Sequence, residues 1–285
     1  VTPVAPLFVP ADRPDRVEKA LKLGVDAVII DLEDAVAASQ KAFARKALAE
    51  LLGGTTPACA VYVRVNRPGE PELLAADLEA LTPCWEAVDG VVLPKAESAD
   101  DVHRLDRLLP GPTHLAPIVE SALGVENALS IARASESVAT LVFGVADLSA
   151  ELGVVPSADG LELLAARSRL VLACAQARIA KPIDGPWLVL DDEAGLATSA
   201  AHARRLGFGG KAAIHPAQLA AIRAAFAPSA DEVAWARRVV AAFEKADQAG
   251  VGAVRLDDGT FVDAPIAARA RSILHAAKAV NPPRG

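Results

Sequence analysis

Eight short apolar runs punctuate the chain, and each ends on polar or charged residues. They are "APLFVPAD" (5–12), "DAVIIDLED" (26–34), "AVYVRVN" (60–66), "DGVVLPKAE" (89–97), "LAPIVES" (115–121), "TLVFGVADL" (140–148), "IAKPIDG" (179–185) and "GKAAIHP" (210–216). Their cores are rich in Val and Ile and do not alternate cleanly with polar positions. That pattern suits parallel strands covered on both faces. Most of the intervening stretches are rich in Ala, Leu, Glu and Arg and of helical length. "PDRVEKALKLG", "SQKAFARKALAELLGG", "SADDVHRLDRLLPG" (with Ser98 as N-cap) and "ADGLELLAARSRLVLACAQAR" are examples. Strands alternating with helices predict one α/β domain over residues 1–250, a (β/α)8 TIM barrel. A doubly wound open sheet is the runner-up, but it usually carries a Gly-rich first turn, and no G-x-G-x-x-G is present. Beyond residue 250, "VGAVRLDDGTFVDAPIAARARSILHAA" predicts two short strands, a turn and a helix. Residues 251–285 are thus an extension surplus to the barrel.

Composition narrows the function classes. Of 285 residues, 52% are hydrophobic, enough for a large core that an α/β barrel builds as one domain. Net charge is −7 and no dense Lys/Arg block appears, so nucleic acid is an unexpected partner, whereas a few local cations can still bind an anionic substrate. No apolar run reaches the length of a membrane span, and no basic-then-apolar stretch opens the chain as given. Cys59, Cys84 and Cys174 are scattered and lack C-x-x-C spacing, which argues against a disulfide framework and a zinc site. The expected location is the cytoplasm.

In a barrel, all strand C-termini share one rim, where active sites are built. The run endings supply Asp12 and Arg13; Asp31, Glu33 and Asp34; Arg64 and Asn66; Lys95 and Glu97; Glu120; Asp147; Asp184; and His215. One such ending is an ordinary turn or cap, but eight together suggest a ring of polar groups. Oxygen ligands without Cys favour Mg²⁺ or Mn²⁺ over zinc. Glu120 and Asp147, ending neighbouring strands, suit such an ion, with salt bridges and capping as the competing roles. Arg64 is either a structural partner of the Asp31–Asp34 cluster or a bidentate clamp on a substrate carboxylate. Lys95 is open to a Schiff-base role. His103, His114, His202 and His275 are expected at the surface.

Taken in order, "LFVPADRPDRVEKAL", "DAVIIDLEDAV", "VYVRVN", "VVLPKAES", "PIVESALGV", "FGVADLSAELG", "GKAAIHPAQL" and "GTFVDAP" resemble the citrate lyase β-subunit-like family of CoA-ester lyases, related to the HpcH/HpaI aldolases. The resemblance implies a homo-oligomer of TIM barrels, a trimer or dimer of trimers, that cleaves or forms a carbon–carbon bond beside a thioester. It implies Mg²⁺ on Glu120 and Asp147, with Mn²⁺ as a substitute, and Arg64 on the carboxylate of a 2-oxo acid. It also implies CoA or substrate contacts at Phe8, Arg13, Lys19, Ile214 and His215. Asp263 would be the acid/base delivered to a neighbouring subunit, and Glu33 and Asp34 would position metal-bound water. Ala146 before Asp147 and "PIDGPWLVLDDEAG" lean toward malyl-CoA or citramalyl-CoA as substrate. The chain is shorter than malyl-CoA lyases, however, and lacks their insertion after strand six. Rival readings are a metal-dependent aldolase without CoA, a Lys95 Schiff-base aldolase and a noncatalytic barrel subunit.

Overall fold

A computed structural model describes residues 2–280; residues 281–285 of the expected extension lie outside the described residues. The chain forms two compact units, residues 1–226 and 227–285.

The first unit is a curled sheet of eight parallel strands in sequence order. They are β1 (Leu7–Pro10), β2 (Ala27–Asp31), β3 (Ala60–Arg64), β4 (Gly90–Leu93), β5 (His114–Val119), β6 (Val142–Phe143), β7 (Ile183–Asp184) and β8 (Gly210–Lys211). All eight runs therefore became strands. The curl also brings the last strand to the first: Lys211 N donates to Val4 O at 2.9 Å, Ala213 N to Pro6 O at 2.9 Å and Phe8 N to Ala213 O at 2.8 Å.

Side-chain alternation divides the core in two. Ile29, Val92, Ala116, Ile118, Val142, Ile183 and Ala212, with Phe8 and Tyr62, form a cluster drawn from strand segments alone, so it fills the inside of the curl. The larger cluster, including Val28, Ile30, Val63, Leu93 and Phe143, packs between sheet and helices. Two helices of this unit, Pro71–Leu81 and Val145–Leu152, were not foreseen in the sequence. Pro71 at the first helical turn is a start signal that marks the former. Ser98 caps its helix as expected, in a reciprocal capping box with Asp101.

The second unit begins earlier than residue 251. Helix Ala230–Gln248 contributes Ala236, Val239 and Phe243 to a small core shared with Val262, Ala267 and Ala270. That helix buries its apolar stripe against the tail's own elements and so belongs with them. The hairpin β9 (Val254–Arg255) and β10 (Phe261–Val262), then helix Ala264–Val280, match the expected pieces. Among the described residues no helix is long and apolar enough to cross a membrane.

Candidate active site

Period-two alternation decides which run endings face inside. Inward Ile29 places Asp31 inward, Tyr62 places Arg64 inward and Ile118 places Glu120 inward. Parallel register makes Asp31 and Arg64 direct neighbours on β2 and β3. These residues, with Phe8, Asp34, Gly144, Ala146, Asp147, Pro186 and Ile214, line a cavity of about 480 Å³.

Arg64 is 13% exposed and heavily paired. Its Nε donates to Asp31 Oδ1 at 2.8 Å, its Nη2 to Asp31 Oδ2 at 2.5 Å, and its Nη1 lies 3.2 Å from Glu33 Oε2. Burial works against the charge, but the bonds and field of Asp31, with Glu33 and Glu120, more than offset it, so Arg64 stays protonated. A guanidinium carries five N–H donors. Three contacts leave two donors, one on each Nη, and Arg64 lines the cavity. The structural-partner role is therefore met, with donor capacity to spare. The guanidinium also lies 5.5 Å from the Phe8 ring centroid.

Asp31 is the organiser of this corner, a role not singled out in the sequence. Besides Arg64, it accepts the backbone N–H groups of Glu33 (2.8 Å) and Ala35 (3.2 Å), folding the loop after β2 over the rim. Lys95 Nζ then bonds Glu33 Oε1 and Asp34 Oδ2, the latter at 2.9 Å. Burial opposes its charge as well, and Glu33 and Asp34 more than compensate, raising its pKa. A Schiff-base lysine needs a neutral amine. An ammonium held by two carboxylates is poorly placed for that chemistry.

Glu120 is 6% exposed. Burial pushes its carboxyl up to about 8, against the hydrogen bond that Lys95 N donates to Oε1 at 2.7 Å. Such a buried carboxylate is short of a cation. Asp147 lies in the first turn of helix Val145–Leu152 rather than on β6 itself, and is nearly half exposed at the same cavity. Space for Glu120 comes from Gly144: a Cβ there would lie 2.2 Å from Glu120 Cβ and 2.6 Å from Oε2. Among the described residues no group of three or more His, Cys, Asp or Glu is arranged to hold a metal alone. Two carboxylates completed by substrate and water are what Mg²⁺ takes, so Glu120 and Asp147 fit it.

The other predicted positions divide between the cavity and the surface. Phe8, Ala146 and Ile214 line the cavity; Arg13, Lys19 and His215 are exposed and outside its lining. Arg13 pairs with Asp15 at 3.2 Å, and His215 Nδ1 accepts from Ala217 N. Asp263, in the second unit, accepts the N–H of Ile266 at 3.1 Å and so caps the start of its helix.

Asp184 corrects the expected polar ring. Ile183 faces inward, so Asp184 points outward, fully buried between sheet and helices. Arg167 Nε reaches its Oδ1 at 2.9 Å and Lys211 Nζ its Oδ2 at 2.6 Å. Lys211 Nζ also bonds Gly185 O at 2.7 Å, one residue before Pro186 at the cavity wall. Of the histidines expected at the surface, His114 is exposed although it opens β5, whereas His202 is half-buried and keeps its Nε2 buried.

A sequence profile of the HpcH/HpaI aldolase/citrate lyase family matches residues 5–216. The chain belongs to this family. Membership makes it an enzyme of the aldolase/lyase class. Human mitochondrial citramalyl-CoA lyase is 32% identical over 97% of this chain and 86% of its own. The (3S)-malyl-CoA thioesterase of Cereibacter sphaeroides is 37% identical over 96% of this chain and 94% of its own. Among solved structures, CitE from Mycobacterium tuberculosis, in complex with magnesium, acetoacetate and coenzyme A, superposes with a TM-score of 0.81. It is 37% identical, over 97% of this chain and 98% of that one. The family match spans every cavity-lining residue.

Proposed function

We propose that the protein is a Mg²⁺-dependent CoA-ester lyase that splits a 3-hydroxy carboxyacyl-CoA, such as malyl-CoA or citramalyl-CoA, into an acyl-CoA and a 2-oxo acid. One observation carries this reading: Arg64, Glu120 and Asp147 converge on a single cavity. Glu120 and Asp147 would hold the ion, which supplies Lewis-acid polarisation of the oxygen destined to become the oxo-acid carbonyl. The two remaining N–H groups of Arg64 grip the substrate carboxylate and orient it. Phe8, Ile118, Val142 and Pro186 give the cavity apolar walls that keep water from the reacting carbon. In cleavage a base takes the substrate hydroxyl proton and the oxygen forms the new C=O bond; the carbon–carbon electron pair passes to the thioester enolate, and Asp263 protonates the α-carbon. In synthesis the same carboxylate removes that proton.

The reading takes the curled sheet as a closed (β/α)8 TIM barrel, a view supported by the bonds between residues 4–8 and 211–213. It takes the protein as a homo-oligomer, a trimer or dimer of trimers, in which the C-terminal segment carries Asp263 to a neighbouring subunit. Glu33 and Asp34 would orient metal-bound water. Exposed Arg13 and Lys19 would meet the CoA phosphates, with Phe8, Ile214 and His215 along the acyl arm.

Incubation with Mg²⁺ and paired acyl-CoA thioesters and 2-oxo acids, read by product mass, tests the proposal. Condensation and cleavage that vanish in EDTA and return with Mg²⁺ or Mn²⁺ are expected. Turnover unchanged after rigorous chelation would remove the metal from the mechanism. Condensation of free aldehydes with pyruvate without CoA would favour the aldolase reading. Release of CoA and intact hydroxy acid would mean thioester hydrolysis, the activity named for the Cereibacter relative.

Arg64→Lys is expected to lower kcat/KM nearly as far as Arg64→Ala. A lysine ammonium supplies a point charge, whereas Asp31, Glu33 and the substrate together require a planar fork. A lysine variant near wild-type kcat/KM would refute the clamp.

A further inference from the structure

Lys95 links four of the carboxylates around the proposed metal position. Its Nζ bonds Glu33 and Asp34 and reaches Asp147 Oδ2 at 4.0 Å, while its backbone N–H donates to Glu120 Oε1. These acids come from three separate segments, after β2, after β5 and in the helix Val145–Leu152. The backbone at Lys95 takes φ 50, the left-handed region uncommon for residues with a Cβ. Five carboxylates gather here (Asp31, Glu33, Asp34, Glu120 and Asp147); among the described residues the cations that pair with their side chains are Arg64 and Lys95, and Arg64 is already engaged by Asp31 and Glu33. Lys95 is the cation that remains for the others.

We propose that Lys95 is the resident counter-ion of this site, a positioning residue that gathers Glu33, Asp34 and Asp147 before the metal arrives and then opposes the metal's charge at close range. The inference rests on the reading that Glu120 and Asp147 bind Mg²⁺. Without a cation, loss of the ammonium leaves like charges crowded at a half-buried rim, and the fold is strained by their repulsion. With a divalent cation, the ammonium a few ångströms away weakens binding. The protein alone therefore holds the ion loosely, and a substrate carboxylate supplies the negative charge that tightens it.

Magnesium titration by calorimetry, together with thermal melting in EDTA, on the wild type, Lys95→Met and Lys95→Arg tests this at one pH. Lys95→Met is expected to bind Mg²⁺ about tenfold tighter or more, since a nearby positive charge is removed. It is also expected to melt at a lower temperature in EDTA, and Lys95→Arg should restore both properties toward wild type. A purely structural lysine would give the opposite sign on affinity, because a disordered site binds more weakly. Lys95→Gly repeats the test where the methionine variant does not fold, as glycine suits the backbone at φ 50. Unchanged or weaker Mg²⁺ binding, or an unchanged EDTA melting temperature, would overturn the proposal. If neither wild type nor variant binds Mg²⁺ even with a 2-oxo acid present, the metal reading itself fails, and the EDTA melting comparison still decides the counter-ion role.

Discussion

Asp263→Asn is expected to lower kcat by 10²–10⁴-fold, the usual contribution of a general acid/base. The substitution isolates the proton-transfer role. Asp263 caps its helix by accepting the Ile266 N–H, and asparagine caps a helix equally well, so the fold of the second unit should survive. Mg²⁺ affinity should change little, since Asp263 is not proposed as a ligand. The in-trans arrangement makes a sharper demand. Asp263→Asn and Glu120→Gln should each be severely impaired alone. After dissociation and reassembly, mixed oligomers should regain activity from sites that draw Glu120 from one chain and Asp263 from another. Mixed oligomers that form but stay inactive would place the proton donor within the same chain's rim.

Asp184→Asn is expected to be the most destabilising of these changes, by about 3–5 kcal/mol, the usual loss when one partner of a buried ion cluster is removed. It leaves Arg167 and Lys211 facing each other with no carboxylate between them. Urea unfolding measures this directly, and a loss under about 1 kcal/mol would mean that the cluster contributes no net pairing. Acid should act on the wild type in the same direction. Burial alone would raise the Asp184 pKa, but Lys211 and Arg167 hold it below the ordinary 3.8. The stability it contributes is present above 3.8 and is lost as pH falls through the lower folded value. The wild type should thus lose stability in that acid range, and Asp184→Asn should show a shallower slope there. Activity is expected to fall as well, because Lys211 ties Gly185 and hence Pro186 to this cluster.

How much of the site was legible depends on the distance in sequence over which each feature is set. Strand number, helix placement and the composition of the rim follow from local patterning, because a buried parallel strand and an amphipathic helix impose their own short periods. The same periodicity contains the face of each run ending. Counting by two from Ile29, Tyr62 and Ile118 turns Asp31, Arg64 and Glu120 inward, and counting from Ile183 turns Asp184 outward. The error over Asp184 came from treating all endings as one ring. The boundary near residue 250 failed for a related reason. Helix Ala230–Gln248 looks like a barrel helix in sequence, and only its packing against Val262, Ala267 and Ala270 assigns it to the tail. Pairing across long separations belongs to the tertiary structure alone. Register set Asp31 beside Arg64, curl carried Lys95 to Glu33 and Asp34, and a bare Gly144 made room for Glu120. The chain's own periodicity thus determined which residues reach the rim and which face they take. Which carboxylate meets which cation was decided by strand register and sheet curvature, because charges interact through distances in space that no local pattern encodes.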